Sequence, residues 1–525
     1  MLWRIPEGCT RVSEARKAAA SGEGPPVLYL NAGDTYTGTA WFTIYKWKIA
    51  AEFLNALQPD AVSLGNHEFD NGVSGLTPFI ENLTCPTLAA NLILDKVPEL
   101  EMEKKLMKSV IFDINGTKVG VIGYLTPDTQ VLAIRNNVEY IEETVSIKAE
   151  AAALKAMGVN ILIALGHSGF TKDLEIAEKV DDIDLVIGGH TNTFLWNGTS
   201  PDSEKPEGPY PMIVKQTSGR KVPAVQAYAY TKYLGKLHLI FNSDGELVSY
   251  NGNPILLDNN IPQDPDVLQI VDRYSVDILK VTGVVIGKIS VVLEGNSCRL
   301  RECNLGNLIS DAMVFKYASE YNGPGWTDAP VSIIQGGGIR ASIVNSNLPA
   351  NVTKGELLHV MPFDGNMVVV SLNGSVIWEM LEHSVAKYNE KRPPGQFLQF
   401  SGLKVEYDFS KPPSRRVVKV LIRCGLCTIP KYYSLNKFKS YNILMTSFLS
   451  MGGDGFSMFT NHPTTPLHYD ELASTIKYIQ THSPVYSGIE NRIEIKNLDK
   501  LSNSVTSVNQ SMALTILISV ITIFM

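Results

Sequence analysis

The 525-residue chain is poor in cysteine, and its six cysteines cannot build a disulfide framework for a fold of this size. No basic cluster is present. Lys plus Arg total 46 against 53 Asp plus Glu, a net charge of −7, which argues against a nucleic-acid polymer as partner. The absence of short-period repeats and low-complexity tracts sets aside solenoids and fibrous proteins. Residues 1–26 hold no apolar run of the sort an export signal carries, and residues 1–33 contain neither Asp nor His. Apolar residues, by contrast, make up 44% of the chain and charged residues only 19%, a composition that fills large cores and excludes disorder. At about 150 residues per domain, the length allows two to four domains.

The chain ends in an uncharged apolar stretch, Met512 to Met525, after a polar spacer through Ser511 and the small residues Ser502, Asn503 and Ser504. A bilayer-crossing helix needs about 20 apolar residues. The pattern therefore predicts a lipid-anchor (GPI) signal attached near Ser502 to Ser504, placing the protein on the extracellular face of the plasma membrane. Asn-x-Ser/Thr acceptors at Asn82, Asn115, Asn197, Asn351, Asn373 and Asn509 point the same way. The pairs Cys298/Cys303 and Cys424/Cys427 suit small local disulfides, the first being spaced too widely for a zinc ribbon. Cys9 and Cys85 are left over. An exported chain without a leader implies a missing upstream segment.

The first half repeats one pattern, an apolar run followed by Gly and a polar cluster. Val27 to Leu30 precedes Asn31-Ala-Gly-Asp34, and Asp60 to Leu64 precedes Gly65-Asn-His-Glu-Phe-Asp70. Asn160 to Leu165 precedes Gly166-His167-Ser-Gly, and Asp184 to Ile187 precedes Gly188-Gly-His190-Thr-Asn192. Helical stretches such as Trp47 to Leu57 and Val145 to Met157 lie between them. Apolar runs alternating with helices predict an α/β sheet covered on both faces, with all four clusters at the carboxyl ends of its strands, where ligands bind. The Asn-, Asp- and Pro-rich segment 251–265 marks a break. The expected organisation is a first domain over 1–262, a helical linker over 263–282, a second domain of mixed strands and helices over 283–498, and the tail 499–525.

Asp34, Asn66, His167 and His190 offer a carboxylate, an amide and two imidazoles, each after a strand. Borderline metals such as zinc or manganese accept this N/O mixture. Asp70, three residues after His67, can hold that imidazole by a hydrogen bond. An imidazolium so oriented stabilises charge on a transferring phosphoryl group, although His67 as a ligand or Asp70 as a helix cap are alternatives.

These four motifs resemble the metallophosphoesterase half of the 5'-nucleotidase family. Its nucleotide-binding half is resembled by Cys298-Arg-Leu-Arg-Glu-Cys303-Asn-Leu-Gly-Asn307, Gly336-Gly-Gly-Ile-Arg340 and Gly452-Gly-Asp-Gly-Phe456. The resemblance covers roughly residues 25 to 498 in the right order and is nearest to the animal members, with apyrases as relatives. It implies two α/β domains, an N-terminal calcineurin-like sandwich and a C-terminal mixed α/β nucleotide-binding domain.

It also implies two divalent ions, expected to be zinc. Asp34 would bridge both ions, Asn66, His167 and His190 would complete the second, and Asn192 would join the first. His67 and Asp70 would act in catalysis. Arg299 and Arg340 would face phosphate and ribose, Phe363 and Phe448 would sandwich the base, and Asp454 would accept the ribose hydroxyls. Gln335 stands where the family usually has Asn before the Gly triplet. The family's Asp-x-His motif, which supplies two ligands of the first ion, has no counterpart in residues 1–33, so the chain is expected to be N-terminally incomplete.

The leading expectation is hydrolysis of nucleoside 5'-monophosphates, AMP above all, to nucleoside and phosphate. The partners expected are a nucleotide, a membrane reached through the lipid anchor, and a second copy of the chain. The alternatives are an apyrase acting on ATP and ADP, and an inactive nucleotide-binding surface protein.

Overall fold

The computed structural model describes residues 4–501; the anchor site at Ser502 to Ser504, the apolar tail and Asn509 lie outside the described residues. The chain divides into two compact units between Val281 and Thr282.

Among the described residues the first unit is built on two main sheets, beside three two-stranded ladders, rather than the single sheet the sequence suggests. In the larger, the strands run in the order Met212–Lys215, Lys221–Val225, Leu185–Ile187, Ile161–His167, Thr117–Leu125 and Ser109–Ile114. The inner four pair in parallel and the two outer strands are antiparallel. Every residue of Ile161–His167 is buried, as expected of a parallel strand covered on both faces. The smaller sheet, Leu30–Asn31, Ala61–Ser63, Thr87–Leu88 and Leu106–Met107, is parallel throughout.

Side-chain alternation stacks these sheets. Ala61 and Leu88 face inward onto the Val121 and Gly123 face of the larger sheet, where a Cβ on Gly123 would run into Leu88. The other face, which carries Tyr124 and Ala164, is covered by Ile147, Ala151 and Ile176 from helices Glu143–Ala156 and Phe170–Lys179. Val62 faces the opposite way, onto Leu54, Phe79 and Ile80. The result is helix, sheet, sheet, helix. Helix Pro265–Thr282 buries Val267, Val271 and Ile278 against Ile5, Trp41, Ile49 and Phe53.

The second unit is built on a mixed sheet in the order Leu398–Ser401, Val331–Gln335, Ser440–Thr446, Met367–Asn373 and Thr464–Pro466. Val368, Val370 and Leu372 enter one core with Ile377 and Leu381 of helix Gly374–Ala386. Val369 points to the opposite core, with Leu305, Leu308 and Ile309 of helix Asn304–Glu320. Cys298 pairs with Cys303, and Cys424 with Cys427. Cys9 and Cys85 are free thiols. Among the described residues no helix is long and apolar enough to cross a membrane.

Candidate metal centre and nucleoside pocket

Asp34 follows the strand Leu30–Asn31 through a turn in which Asn31 Oδ1 accepts the Gly33 N–H at 2.9 Å, and its own backbone is left-handed at φ 56°. Its Oδ1 accepts the His67 N–H at 2.9 Å. A Cβ on Gly65 would lie 2.2 Å from that oxygen, so only glycine lets the two loops close. The other oxygen, Oδ2, lies 2.7 Å from His167 Nε2.

His167 donates from Nδ1 to the Ala32 carbonyl at 2.7 Å. Gly189 passes directly behind that nitrogen, where a Cβ would come within 2.6 Å. The His190 ring lies edge-on to His167, with centroids 5.3 Å apart, and its Nδ1 is 3.0 Å from Oδ1 of the buried Asn66. One ligand atom each of Asp34, His167 and His190 falls within 4.8 Å of the others. The smaller sheet thus contributes Asp34 and Asn66, the larger His167 and His190.

The donor set fits a divalent cation. With Nδ1–H committed to a carbonyl, His167 keeps a lone pair at Nε2. That buried nitrogen makes no hydrogen bond even though a carboxylate oxygen is 2.7 Å away. Two acceptors this close, unaligned for a hydrogen bond, suit a cation shared between them. Burial by itself would raise the Asp34 pKa, but the imidazoles of His167, His67 and His190, when they carry a proton, outweigh it and hold the carboxyl well below its ordinary range.

His67 Nδ1 lies 2.8 Å from Asp70 Oδ2, which also accepts the Thr37 hydroxyl. Asn192 is exposed, two residues beyond His190, and both are on left-handed backbone, at φ 54° and 77°. Such conformations collect where function demands them.

In the second unit, Gln335 ends the strand Val331–Gln335; it is buried and its Oε1 has no hydrogen bond. Asp454 packs against the Gly337 and Gly395 backbones, its Oδ2 within 3.3 and 3.2 Å of where their Cβ atoms would stand. The Asp454 carbonyl accepts from His383 Nε2 at 2.9 Å. Burial pushes the Asp454 carboxyl up to about 6, against the pull of Arg299 and Arg340. The Arg340 guanidinium stands 5.7 Å from the Phe363 ring centre. Phe448 lies on Gly453, 2.4 Å from where a Cβ would be. Both rings are half-buried, leaving surface for a planar ligand.

Over 498 residues, spanning 93% of this chain and 86% of its relative, the sequence is 45% identical to protein 5NUC of Lutzomyia longipalpis. It is 39% identical to the 5'-nucleotidase of Homo sapiens over 490 residues, 92% of this chain and 84% of the human one. The chain belongs to the 5'-nucleotidase family. The family models agree: calcineurin-like phosphoesterase matches residues 8–194, and 5'-nucleotidase, C-terminal domain, matches 285–461. The crystal structure of a 5'-nucleotidase precursor from Thermus thermophilus superposes with a TM-score of 0.82 at 30% identity, covering 94% of this chain and 93% of that one.

In this member of the 5'-nucleotidase family, one residue of the site escapes sequence reasoning. Glu68 is buried, and its carboxylate accepts the N–H of Asp34 at 3.0 Å, of Thr35 at 2.5 Å and of Gly65 at 2.6 Å, and the Thr35 hydroxyl at 2.8 Å. It ties the Asp34 turn to the Gly65 turn. The signal was its setting: a carboxylate inside a buried turn must be paired.

Proposed function

We propose that this 5'-nucleotidase family member hydrolyses nucleoside 5'-monophosphates, AMP foremost, to nucleoside and phosphate. The observation that carries the reading is the buried, unbonded His167 Nε2 facing Asp34 beside His190. Asp34, Asn66, His167 and His190 would hold one divalent ion, with Asp34 shared with a second that Asn192 helps to hold. When bound, such ions supply Lewis acidity that polarises phosphoryl oxygens and activates water. His67, oriented by Asp70, neutralises charge on the transferring phosphoryl group. In the second unit Arg299 and Arg340 bind phosphate and ribose, Asp454 the ribose hydroxyls, Phe363 and Phe448 the base, and Gln335 offers the base a carbonyl acceptor.

Zinc as the metal, an extracellular lipid-anchored location, pairing with a second copy, and glycosylation at the exposed Asn82, Asn115, Asn197, Asn351 and Asn373 belong to the same reading. So does the division at 1–262, 263–282 and 283–498.

The test is phosphate release from AMP, ADP and ATP before and after chelation, with zinc or manganese restored. AMP turnover lost to the chelator and regained with metal is expected. Faster release from ATP than from AMP would replace this reading with an apyrase.

Phe363→Ala combined with Phe448→Ala raises the KM for AMP at least tenfold, because stacking is worth ~1–3 kcal/mol per base. A small phosphate ester lacking a base is hydrolysed nearly as before. Equal losses on both substrates would make the rings core residues only.

A further inference from the structure

We infer that Gln226 is a positioning residue for the metal centre, fixing the backbone turn that presents His190; this rests on the proposed reading of His190 as a ligand. Strands Leu185–Ile187 and Lys221–Val225 run parallel, with Ile187 beside Val225, and their ladder ends where the Gly188 N–H meets the Val225 carbonyl at 2.9 Å. Beyond that point the Gln226 side chain takes the place of the ladder, up to the isolated bridge between Phe194 and Ala227.

Its Nε2 donates to the Gly189 carbonyl at 2.8 Å and to Asp173 Oδ2 at 2.6 Å. Its Oε1 accepts the Thr193 N–H at 3.0 Å and the Thr191 hydroxyl at 3.3 Å. A backbone carbonyl can only accept and a backbone N–H can only donate, so the amide has one possible orientation. The residues immediately before His190 and three beyond it are therefore clamped by one buried side chain, with the left-handed His190 and Asn192 held between them.

The clamp is itself anchored. Asp173 is buried on helix Phe170–Lys179, and its Oδ1 accepts the Tyr124 hydroxyl at 2.7 Å. Tyr124 sits on strand Thr117–Leu125, which Ile161–His167 separates from Leu185–Ile187 in the sheet. Past the turn, the Tyr228 N–H reaches the Thr193 carbonyl at 3.2 Å and closes the far side. Of this set only His190 and Asn192 belong to the proposed ligands. Gln226, Asp173 and Tyr124 act on the ion only through the turn's shape, as outer partners of metal ligands do.

Cobalt(II) alone, titrated into the full chain and followed by its visible absorption, reads ligand geometry without turnover. Wild type is compared with Gln226→Leu, Tyr124→Phe and His190→Ala. Gln226→Leu should weaken cobalt binding about 10–100-fold, the usual cost of losing an outer partner, and alter the spectrum of the bound ion. Tyr124→Phe removes one hydroxyl and should weaken binding in the same direction by less. A variant that merely lowered the folded fraction would leave both the affinity and the spectrum of the folded molecules unchanged. If His190→Ala binds cobalt as wild type does, His190 is not a ligand and the role of Gln226 falls with it. If His190→Ala loses the ion while Gln226→Leu binds like wild type, the Gln226 assignment alone is overturned. Should Gln226→Leu fail to fold, Tyr124→Phe decides, and wild-type affinity in that variant overturns the assignment.

Discussion

Asp34→Asn, assayed at saturating divalent metal, will release phosphate from AMP slower by on the order of 10³-fold. Both oxygens of Asp34 are committed: Oδ1 takes the His67 N–H and Oδ2 faces the unbonded His167 nitrogen. The amide matches the carboxylate in size and can keep the hydrogen bond through its oxygen. It then turns an NH₂ toward a nitrogen that has only a lone pair to offer, and the place of the cation is taken by a hydrogen bond. Charge is lost where charge is needed, with almost no change in shape. Adenosine binding by the second unit, measured calorimetrically, should stay at the wild-type level and separate lost chemistry from lost fold. Activity within tenfold of wild type would remove Asp34 from the centre.

Glu68→Leu will be the most destabilising single change at the site. Three backbone N–H groups and one hydroxyl converge on this buried carboxylate. Leucine fills a similar volume but leaves those donors with no acceptor and no access to water. Each buried donor left without an acceptor costs about 1–3 kcal/mol, so a total loss on the order of 4 kcal/mol lowers the unfolding midpoint of a unit of this size by roughly 10 °C. Metal affinity should fall with it, since the Asp34 turn loses its tie to the Gly65 turn. Differential scanning calorimetry and a metal titration on the same preparation check both effects. An unshifted midpoint would mean that the turns hold themselves.

Much of this was legible in the residues. Helix Trp47–Leu57 has the bounds its apolar spacing predicts, and the strands before Asn66 and His190 lie inside the predicted runs, whereas the strand Ile161–His167 runs two residues past its predicted end and takes in His167 itself. Val27 to Leu30 fared worse, since only Leu30 of that run is in the strand. There the Asp60 carboxylate takes the Tyr29 N–H at 2.7 Å where a ladder bond would otherwise run. The division into two sheets was invisible, because period-2 alternation tells which residues are buried and not which sheet buries them. Glu68 and Gln226 were missed for a related reason. Most of their partners are backbone groups, 3 to 37 residues away, and a backbone group leaves no mark in a sequence.

Since the proposed ligands sit on two sheets, the centre's dimensions are set by the apolar layer between them. Ala61, Leu88 and Val121 act as the spacer that fixes its bite. A displacement of about 1 Å can cost 10²-fold in rate. Added methylenes in a close-packed layer push neighbours apart by fractions of that distance. The tolerance on these side chains is therefore narrower than stability alone would demand, because the interior of the sandwich sets the spacing of the proposed ligands as well as filling the core.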